Sequence, residues 1–378
     1  MTRIAHIANM YGPKSGGLKT AMNSLSREYE EMGHEVLLVV PGKKDSSSRS
    51  GNITTVTVSS PVIPFSGGYR IILNSGEVIR LVKNFDAQVL EISDRTTLLR
   101  VSRWARKRSI PTIFFAHERV DGVINAFGKF LPGKKALARF WNKYTAASVD
   151  RIVATTKFAS EEFVELGMVL NQSQLVNIPL GVDLQLFHPS QSEKPMTAFQ
   201  EVPENFVFAC TRLSKEKDPM YLLDIARELK ARSSDLTLVI AGSGPYEERM
   251  NEAVLQENLP VIILGFVSDK EIVSRLMAKA QVFLAVGPIE TFGLAALESL
   301  ASGTPVACRK EAAISEIITS LCGASLHKDR KLWVDAIEYF SLMDLDERRL
   351  LARNRAEEFS WSNSAHQLLA LHKMEMSL

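Results

Sequence analysis

The 378-residue chain is 46% hydrophobic and 23% charged, a composition typical of a soluble globular protein. Its length is too great for one ordinary hydrophobic core, so we expect two domains. No uncharged apolar run approaches the roughly 20 residues that span a bilayer, and the N-terminus predicts a strand rather than a signal peptide. The cysteines Cys210, Cys308 and Cys322 show neither metal-ligand spacing nor a disulfide pattern, which favours a reducing, cytoplasmic location.

The net charge of +2 is the sum of two unlike halves. Residues 1–189 carry 24 Lys/Arg and 16 Asp/Glu, whereas residues 190–378 carry 21 and 27. A basic first half is compatible with an anionic membrane surface, a phosphorylated acceptor or nucleic acid. It is equally compatible with an uneven, solvated surface.

Apolar runs of strand length alternate with stretches of helical period along most of the chain. The predicted strands are Ile4–Ala8, Glu35–Val40, Val89–Ile92, Thr112–Ala116, Arg151–Thr155, Phe206–Cys210, Leu236–Ala241, Val261–Leu264, Val282–Val286 and Pro305–Cys308. The predicted helices include Leu18–Met32, Val78–Asn84, Leu98–Arg108, Ala159–Leu166, Met220–Arg232, Lys270–Ala280 and Leu294–Leu300. Ser46–Ser50 predicts the tip of a loop. The alternation predicts parallel sheets covered by helices on both faces.

The series of strands and helices occurs twice, and residues 179–193 separate the two copies. This segment predicts a linker, because Pro179, Gly181 and Pro189 precede a polar run.

We therefore predict an α/β protein of two Rossmann-like domains with a cleft between them. The first is residues 1–185 with a C-terminal helix at about 361–378, and the second is residues 186–360. The helix should pack on the first domain through Leu368, Leu369 and Leu371.

Residues 287–299 form the most informative motif of the chain. Glu290 and Glu298 lie eight positions apart around a turn that opens a helix. A helix N-terminus after a strand favours a phosphate, and a carboxylate on either side can accept hydrogen bonds from sugar hydroxyls. The spacing suits a nucleotide-sugar, with a sugar at one end and a ribose at the other.

Two cations follow the first strand of the second domain. Arg212 stands at the carboxyl end of that strand, where open α/β sheets bind ligands. Lys217 is placed at a helix start, an unfavourable position for a cation unless an anion is bound. Together they can neutralise a leaving diphosphate. In the first domain, Gly16 and Gly17 precede a helix and permit close approach of an anion, without the spacing of a dinucleotide fingerprint.

Two other strand ends carry candidate ligand contacts. His117 follows Thr112–Ala116, although a lone histidine is often only structural. The loop after Val261–Leu264 could hold a base, with backbone groups at Val267 meeting the base edge.

Together these residues resemble the retaining glycosyltransferases of family 4, which have the GT-B fold. The resemblance is carried by the Gly16-Gly17 loop, His117, the PLGVDLQLFHP segment, Arg212 with Lys217, the Gly242-Ser243-Gly244-Pro245 turn and GPIETFGLAALE. One departure is Thr211, where many relatives have glycine before the arginine. Four further segments resemble actinobacterial GDP-mannose-dependent mannosyltransferases that act on phosphatidylinositol mannosides or related glycolipids: NMYGP, GGYR, EISDR and HER.

The resemblance implies a role for each motif. Glu290 contacts sugar hydroxyls, Glu298 holds the ribose, and Arg212 with Lys217 binds the diphosphate. The remaining donor contacts are His117, Gly16, Gly17, Val267, Phe292, Gly293 and Leu294. No cofactor and no dedicated metal site are expected, because the two cations and a helix terminus stabilise the leaving group.

The implied acceptor is a lipid, with contacts at Tyr11, Tyr69 and Arg70 and no nucleic-acid partner. The basic segment 127–143 predicts an interfacial helix that docks on anionic lipid, with contacts at Lys134, Lys135, Arg139 and Trp141. A stripe of Leu137, Phe140, Trp141 and Tyr144 would lie at its apolar side, or would pack on the domain core instead. The enzyme would then be peripheral to the inner face of the plasma membrane.

Other interpretations remain open at this point. A family 4 enzyme could use a UDP-sugar and a soluble acceptor, and a GT-B sugar-nucleotide epimerase would need many of the same donor contacts. A non-catalytic nucleotide-sugar-binding protein would not need both glutamates.

Overall fold

The computed structural model describes residues 1–12, 16–64, 68–117, 134–165, 174–196 and 199–377. The chain divides into two compact units. The first consists of Met1–Gly181 and Trp361–Leu378, and the second is Val182–Ser360. The sequence-based boundary after residue 185 lies four residues beyond this division.

The first unit is built on an eight-stranded sheet with the order β3-β4-β2-β1-β5-β6-β7-β8. Its strands are β1 (Arg3–Ala8), β2 (Glu35–Gly42), β3 (Ser46–Ser50), β4 (Ile53–Ser59), β5 (Val89–Ser93), β6 (Thr112–Ala116), β7 (Arg151–Ala154) and β8 (Leu175–Asn177). Every neighbouring pair is parallel except β3 with β4. Both faces of β1 and β5 are buried, so these strands form the centre of the core.

The prediction of a loop tip at Ser46–Ser50 is wrong, because this segment is the edge strand β3. It forms an antiparallel hairpin with β4 that closes through Gly51, whose φ of +56° suits a tight hairpin turn. The strand is exposed along its whole length. A polar edge strand has no hydrophobic alternation, and so it lacks the signal that identifies the other strands.

Helices cover the first sheet, and their bounds are α1 (Gly17–Glu31), α2 (Ser75–Asn84), α3 (Leu99–Arg106), α4 (Lys134–Ser148) and α5 (Lys157–Glu165). Asn74 caps α2 by accepting a hydrogen bond from the backbone N–H of Glu77. The segment 118–133, which includes much of the predicted interfacial helix, lies outside the described residues.

The second unit is built on a six-stranded parallel sheet with the order β11-β10-β9-β12-β13-β14. Its strands are β9 (Phe206–Cys210), β10 (Thr237–Ala241), β11 (Val261–Gly265), β12 (Phe283–Ala285), β13 (Val306–Arg309) and β14 (Gly323–Leu326). Its helices are α6 (Met220–Ala231), α7 (Glu247–Glu257), α8 (Lys270–Lys279), α9 (Leu294–Ala301), α10 (Arg330–Leu342) and α11 (Leu345–Glu357). The strand order reverses at β9, the point at which such sheets bind ligands beyond the strand ends.

The segment predicted as a linker is packed into the second unit for most of its length. Val182 forms a bridge with Ser360, and Phe187 is buried. Arg353 of α11 donates a hydrogen bond to the carbonyl of Phe187. Only the first residues of the predicted linker therefore join the two units.

The last helix, α12 (Trp361–Met376), belongs to the first unit. Its predicted contacts are confirmed, because Leu368, Leu369 and Leu371 are all buried. An ion pair between Glu375 and Arg151 of β7 adds to this packing. No helix within the described part of the chain is long and apolar enough to cross a bilayer.

Candidate active site

The loop that carries Arg212 is fixed by backbone hydrogen bonds at the carboxyl edge of the second sheet. The N–H of Thr211 donates to the carbonyl of Ala241 at 3.0 Å, and the N–H of Leu213 donates to the carbonyl of Ser243 at 3.0 Å. Residues 211–213 therefore continue the pairing of β9 with β10 beyond the strands. The Arg212 side chain is half exposed, and its guanidinium lies 3.7 Å from Glu216.

Gly242 and Gly244 make this close backbone approach possible. A Cβ at position 242 would collide with the carbonyl oxygen of Thr211, and one at position 244 would collide with that of Leu213. The Gly-Ser-Gly-Pro turn is thus required by packing at this strand end.

Lys217 forms an ion pair with Glu290, with 2.5 Å between Nζ and Oε1. It ends a short 3-10 turn, and α6 begins three residues later at Met220. The sequence placed this cation at a helix start, and the structure places it just before one. Its charge is compensated by the Glu290 carboxylate.

Asp218 clamps the backbone next to Lys217, an interaction that the sequence patterns do not reveal. Its carboxylate accepts hydrogen bonds from Arg309 at 2.9 Å and from Lys328 at 2.6 Å. Both cations also lie about 5 Å from the ring of Tyr221. Asp218 has a φ of +48°, an uncommon conformation for a residue with a side chain. The clamp holds the turn that presents Lys217.

The turn before α9 brings Glu290 against a glycine. Gly293 is the N-cap of α9 with a φ of +90°, and a Cβ there would lie 2.9 Å from Ile314 Cβ and 3.3 Å from Glu290 Oε2. Phe292 is buried, so this turn offers backbone groups rather than a side chain to a ligand. Leu294 begins the helix, whose N-terminus therefore lies beside the Lys217–Glu290 pair.

Glu298 lies one turn further along α9 and is partly buried. Burial raises the pKa of its carboxyl from 4.5 to about 7, with nearby Lys270 acting in the opposite direction and Asp183 adding to the rise. Burial, together with Glu298 and Glu290, also raises the pKa of the Cys210 thiol to about 12. Both glutamates therefore lie near the end of β9, where the Cys210 thiol stays neutral.

The predicted base-binding loop follows β11. Phe266 is 62% exposed and Val267 is partly buried, while Gly265 adopts a φ of +70° that turns the chain. Asp269 ends the loop by capping α8. An exposed aromatic ring is suited to stacking on a base. Lys270, which lowers the pKa of Glu298, begins the next helix.

In the first unit, His117 lies directly after β6. Its Nε2 is 2.9 Å from Ser93 Oγ, and the same hydroxyl is 2.8 Å from His6 Nε2. The ring stacks on Phe115. Burial and the nearby His6 and Arg95 lower the pKa of His117 to about 3, so the imidazole is neutral at neutral pH.

The hydrogen-bonded chain continues inward to a buried carboxylate. Glu91 of β5 lies 3.0 Å from His6 Nδ1 and 3.0 Å from His372 Nε2, and it accepts a hydrogen bond from Tyr29 at 2.7 Å. Burial acts to raise the pKa of the Glu91 carboxyl, but the neighbouring His372 and His6 hold it far below its usual range. We call His117, Ser93, His6 and Glu91 the polar chain.

The glycine loop of the first unit is only partly described, because residues 13–15 lie outside the described part. Gly16 is the N-cap of α1 and Gly17 its first residue. Among the described residues, none has an atom within 4 Å of a Cβ built on Gly16.

Two of the predicted acceptor contacts lie on neighbouring loops. The N–H of Met10 donates to the carbonyl of Arg70, which places Tyr11 beside that segment. The Tyr11 hydroxyl donates to Asn23, and Tyr69 is partly buried one residue before Arg70.

Helix α4 turns only part of its predicted apolar stripe outward. Phe140 is 69% exposed and Tyr144 is 39% exposed, with Arg139 exposed beside them. Trp141 instead donates its indole N–H to the carbonyl of Arg95, at 2.7 Å, and so it is held on the first unit. The contact of Trp141 with a membrane stays a prediction. The side chains of Lys134 and Lys135 lie outside the described residues.

Within the described residues, no group of three or more His, Cys, Asp or Glu side chains is placed to hold a metal ion. The chain contains one Asp-x-Asp triplet, Asp344-Leu345-Asp346. The Asp344 carboxylate caps α11, because it accepts hydrogen bonds from the backbone N–H groups of Asp346 and Glu347. This capping role explains why an aspartate stands at position 344.

Two family descriptions match the chain, Glycosyltransferase Family 4 over residues 15–186 and Glycosyl transferases group 1 over residues 192–358. A GDP-mannose-dependent alpha-(1-6)-phosphatidylinositol dimannoside mannosyltransferase of Mycobacterium tuberculosis is 39% identical over 97% of this chain and 95% of its own length. An alpha-monoglucosyldiacylglycerol synthase of Streptococcus pneumoniae is 22% identical over 86% of this chain and 75% of its own length.

The fold also matches solved structures. Sucrose-phosphate synthase from Thermosynechococcus elongatus superposes with a TM-score of 0.77 over the whole of both chains, at 19% sequence identity. This likeness concerns the fold, which is GT-B with two parallel-sheet α/β units. The extent of the identity to the mycobacterial enzyme, together with the two family matches, shows that this chain belongs to glycosyltransferase family 4.

Proposed function

We propose that the protein transfers mannose from GDP-mannose to a membrane glycolipid of the phosphatidylinositol mannoside type, with retention at the anomeric carbon. The named specificity of the mycobacterial relative supports this donor and acceptor. In the reaction, the bond from the anomeric carbon to the diphosphate breaks and a bond to an acceptor hydroxyl oxygen forms. The hydroxyl proton leaves with GDP, so no other reactant is needed.

The observation that carries the donor assignment is the contact between Lys217 and Glu290. It sets a cation and an anion side by side, which matches the junction of a nucleotide-sugar, where an anionic diphosphate adjoins a sugar rich in hydroxyl donors. Lys217 and Arg212 bind the diphosphate, and Glu290 accepts from the sugar. Glu298 accepts hydrogen bonds from the ribose hydroxyls. The loop that contains Phe266 covers the base.

Charge on the leaving diphosphate is stabilised by these side chains rather than by a dedicated metal. A guanidinium, an ammonium and the N-terminus of α9 provide fixed positive charge where negative charge develops. Activity should therefore persist after dialysis against EDTA and should not increase on addition of Mg²⁺ or Mn²⁺. Loss of activity with EDTA that is restored by one of these ions would contradict this part of the proposal.

The acceptor reaches the enzyme at the inner face of the plasma membrane, to which the protein is peripherally bound. Support comes from α4, where the exposed Phe140 and Tyr144 stand beside the exposed Arg139 and Lys143. The excess of basic residues in the first half of the chain adds attraction to anionic lipid. Tyr11, Tyr69 and Arg70 then contact the acceptor headgroup.

The experiment is a transfer assay with purified protein, radiolabelled sugar donors and defined acceptors. GDP-mannose with phosphatidylinositol dimannoside should give a mannosylated lipid and GDP in equal amounts, and NMR of the product should show an α-linked mannose. Parallel reactions contain UDP-glucose, a diacylglycerol glycolipid or a soluble mannoside. Transfer only from UDP-sugars, or epimerisation of the donor without transfer, would refute the proposal.

A further inference from the structure

We propose that Arg309 is a positioning residue for the sugar donor, because its guanidinium fixes the loop that carries Lys217 relative to the loop that carries Glu290. The inference rests on the proposed function in one respect, namely that Lys217 binds the diphosphate and Glu290 the sugar. Every group in this arrangement belongs to the second unit.

Arg309 forms hydrogen bonds to both loops. It is the last residue of β13, and its side chain is only 8% exposed. Its Nη2 donates to the carboxylate of Asp218 at 2.9 Å, and Asp218 directly follows Lys217 in the chain. Its Nε donates to the carbonyl of Val286 at 3.3 Å, where the chain leaves β12 towards Glu290. One planar side chain therefore links the two loops.

The order of the strands brings the two loops into direct contact. Strand β12 lies between β9 and β13 in the second sheet, so the loop after β9 passes the end of β12 before it reaches Arg309. The loops pack where they pass, since a Cβ built on Gly287 would lie 3.4 Å from Lys217 Cδ and 3.7 Å from Lys217 Cα. Arg309 thus joins two segments that already lie against each other.

The guanidinium is itself held from the side of the core. Its Cζ lies 5.1 Å from the centre of the Tyr221 ring, and Tyr221 belongs to the hydrophobic core of this unit. A buried arginine is unfavourable unless its charge is compensated. The Asp218 carboxylate compensates it, and Lys328 donates to the same carboxylate oxygen at 2.6 Å. Lys328 therefore shares the acidic partner of Arg309, whereas the bond to Val286 comes from Arg309.

The relative position of the two loops matters because the reacting bond of the donor lies between the groups that they carry. Lys217 contacts the diphosphate on one side of that bond, and Glu290 contacts the sugar on the other. A displacement of about 1 Å at such a site can lower a rate about 10²-fold. A guanidinium donates in two directions at once, whereas the donors of a lysine radiate from one nitrogen. Arg309→Lys should therefore keep the charge beside Asp218 and lose the bond to Val286.

The first test measures amide hydrogen exchange without substrate, and so it does not depend on the proposed function. Arg309→Lys should raise the exchange of residues 283–292 about threefold or more, because the anchor at Val286 is lost. Lys328→Met removes a cation from the same carboxylate but leaves that anchor, so exchange of residues 283–292 should stay native. Unchanged exchange in Arg309→Lys, or an equal rise in Lys328→Met, would overturn the inference.

The second test compares GDP binding with transfer from GDP-mannose. GDP lacks the sugar, so in Arg309→Lys its affinity should stay within about threefold of native, while kcat for transfer should fall about tenfold or more. Lys310→Met is the matched control, since it removes the exposed lysine next to Arg309 in the chain and should leave both quantities unchanged. A native kcat in Arg309→Lys, or a GDP affinity that falls in step with kcat, would overturn the positioning role.

Asp218→Asn breaks the same link from its other end. Asparagine tolerates the positive φ of position 218, so the variant should fold, and its kcat should also fall about tenfold. A native kcat in Asp218→Asn would overturn the inference even if Arg309→Lys did not fold. If the native protein transferred no sugar from GDP-mannose while exchange of residues 283–292 responded to Arg309→Lys as expected, the proposed function would fail and the link between the loops would stand.

Discussion

The two units differ in how far their groups of polar side chains are exposed to solvent. In the second unit, the side chains of Arg212, Lys217 and Glu290 are 50%, 23% and 25% exposed. In the first unit, the side chains of His6 and Glu91 are 2% and 0% exposed. Partly exposed charged groups can exchange their protein partners for polar groups of a ligand. A buried network cannot, because its rearrangement leaves buried charges unpaired at a high cost in free energy. The comparison favours ligand binding at the partly exposed charges of the second unit and a fixed arrangement of the buried groups in the first.

The largest effect should follow removal of either cation at the exposed site. Arg212→Ala and Lys217→Ala should each lower kcat by about 10²- to 10³-fold, because each removes a group that stabilises the diphosphate, an effect worth roughly 3–4 kcal/mol. Folding should be intact by circular dichroism. Lys215→Ala is the matched control, since it removes an exposed lysine from the same turn and should leave kcat unchanged.

Near-native turnover in both cation variants would mean that the diphosphate binds elsewhere. It would also remove the contrast between the two units, because the exposed charges would then be ordinary surface groups.

The second prediction concerns the backbone under Glu290. Gly293→Ala should lower kcat/KM about 10- to 100-fold, because the new Cβ meets Ile314 and presses on Glu290. The positive φ alone should cost roughly 1–2 kcal/mol of stability. Gly33→Ala separates the cost of the positive φ from the steric contact of the new Cβ. Gly33 has a φ of +81°, and among the described residues no atom lies within 4 Å of a Cβ built there. If both variants lost stability equally and neither lost activity, the turn would not shape the site.

The partly exposed site around Arg212, Lys217 and Glu290 is more readily predicted from the sequence than the buried polar chain of the first unit. Arg212 and Lys217 lie in a loop that follows a clear apolar strand, and Glu298 lies one turn inside a helix that follows another. Their positions near a sheet edge can therefore be inferred from the chain alone. The ion pair between Lys217 and Glu290 could not be inferred from the sequence, because it joins two strand ends that are distant in the chain.

The polar chain has a weaker sequence signal. His6 and Glu91 each interrupt an apolar strand, and a charged residue inside a buried parallel strand signals a paired group. The partner cannot be read from the sequence, since His372 comes from the last helix of the chain. The same limitation applies to the edge strand Ser46–Ser50, whose polar composition gives no hydrophobic alternation.

A third, smaller effect should appear as a pH dependence of nucleotide binding. The Glu298 pKa is raised to about 7, and ribose hydroxyls donate to the ionised form. GDP affinity should therefore rise up to about tenfold between pH 6 and pH 8, as the carboxyl loses its proton. Glu298→Gln should bind more weakly and show no such rise. An equal rise in both proteins would assign the titration to another group.

The same shift has a consequence for stability with a defined sign. Because the folded pKa exceeds the unfolded value of 4.5, the native state binds the proton more tightly. The stabilising contribution of Glu298 is present below pH 4.5 and is lost as the pH rises through about 7. The melting temperature of Glu298→Gln, relative to the native protein, should accordingly increase between pH 5 and pH 8. A constant difference would contradict the burial of this carboxyl.

The last of these predictions concerns the membrane. Phe140→Ser should weaken binding to vesicles that contain phosphatidylinositol by a few-fold, and Lys134→Glu with Lys135→Glu should weaken it further, because each basic residue near the surface contributes about 1 kcal/mol. Leu321→Ser is the matched control, an equally exposed apolar residue of the second unit. Sedimentation that is equally poor with anionic and neutral vesicles would favour a soluble acceptor.

The most direct test of the contrast between the units is calorimetric titration of GDP into three proteins. Arg212→Ala should bind GDP at least tenfold more weakly than the native protein, because a phosphate contact is lost. Ser93→Ala should bind GDP within twofold of native, because the Ser93 hydroxyl lies between two histidines of the first unit, whereas the cations belong to the second. The contrast between the two units is contradicted if Ser93→Ala loses GDP affinity as severely as Arg212→Ala does, or if Arg212→Ala binds GDP as tightly as the native protein.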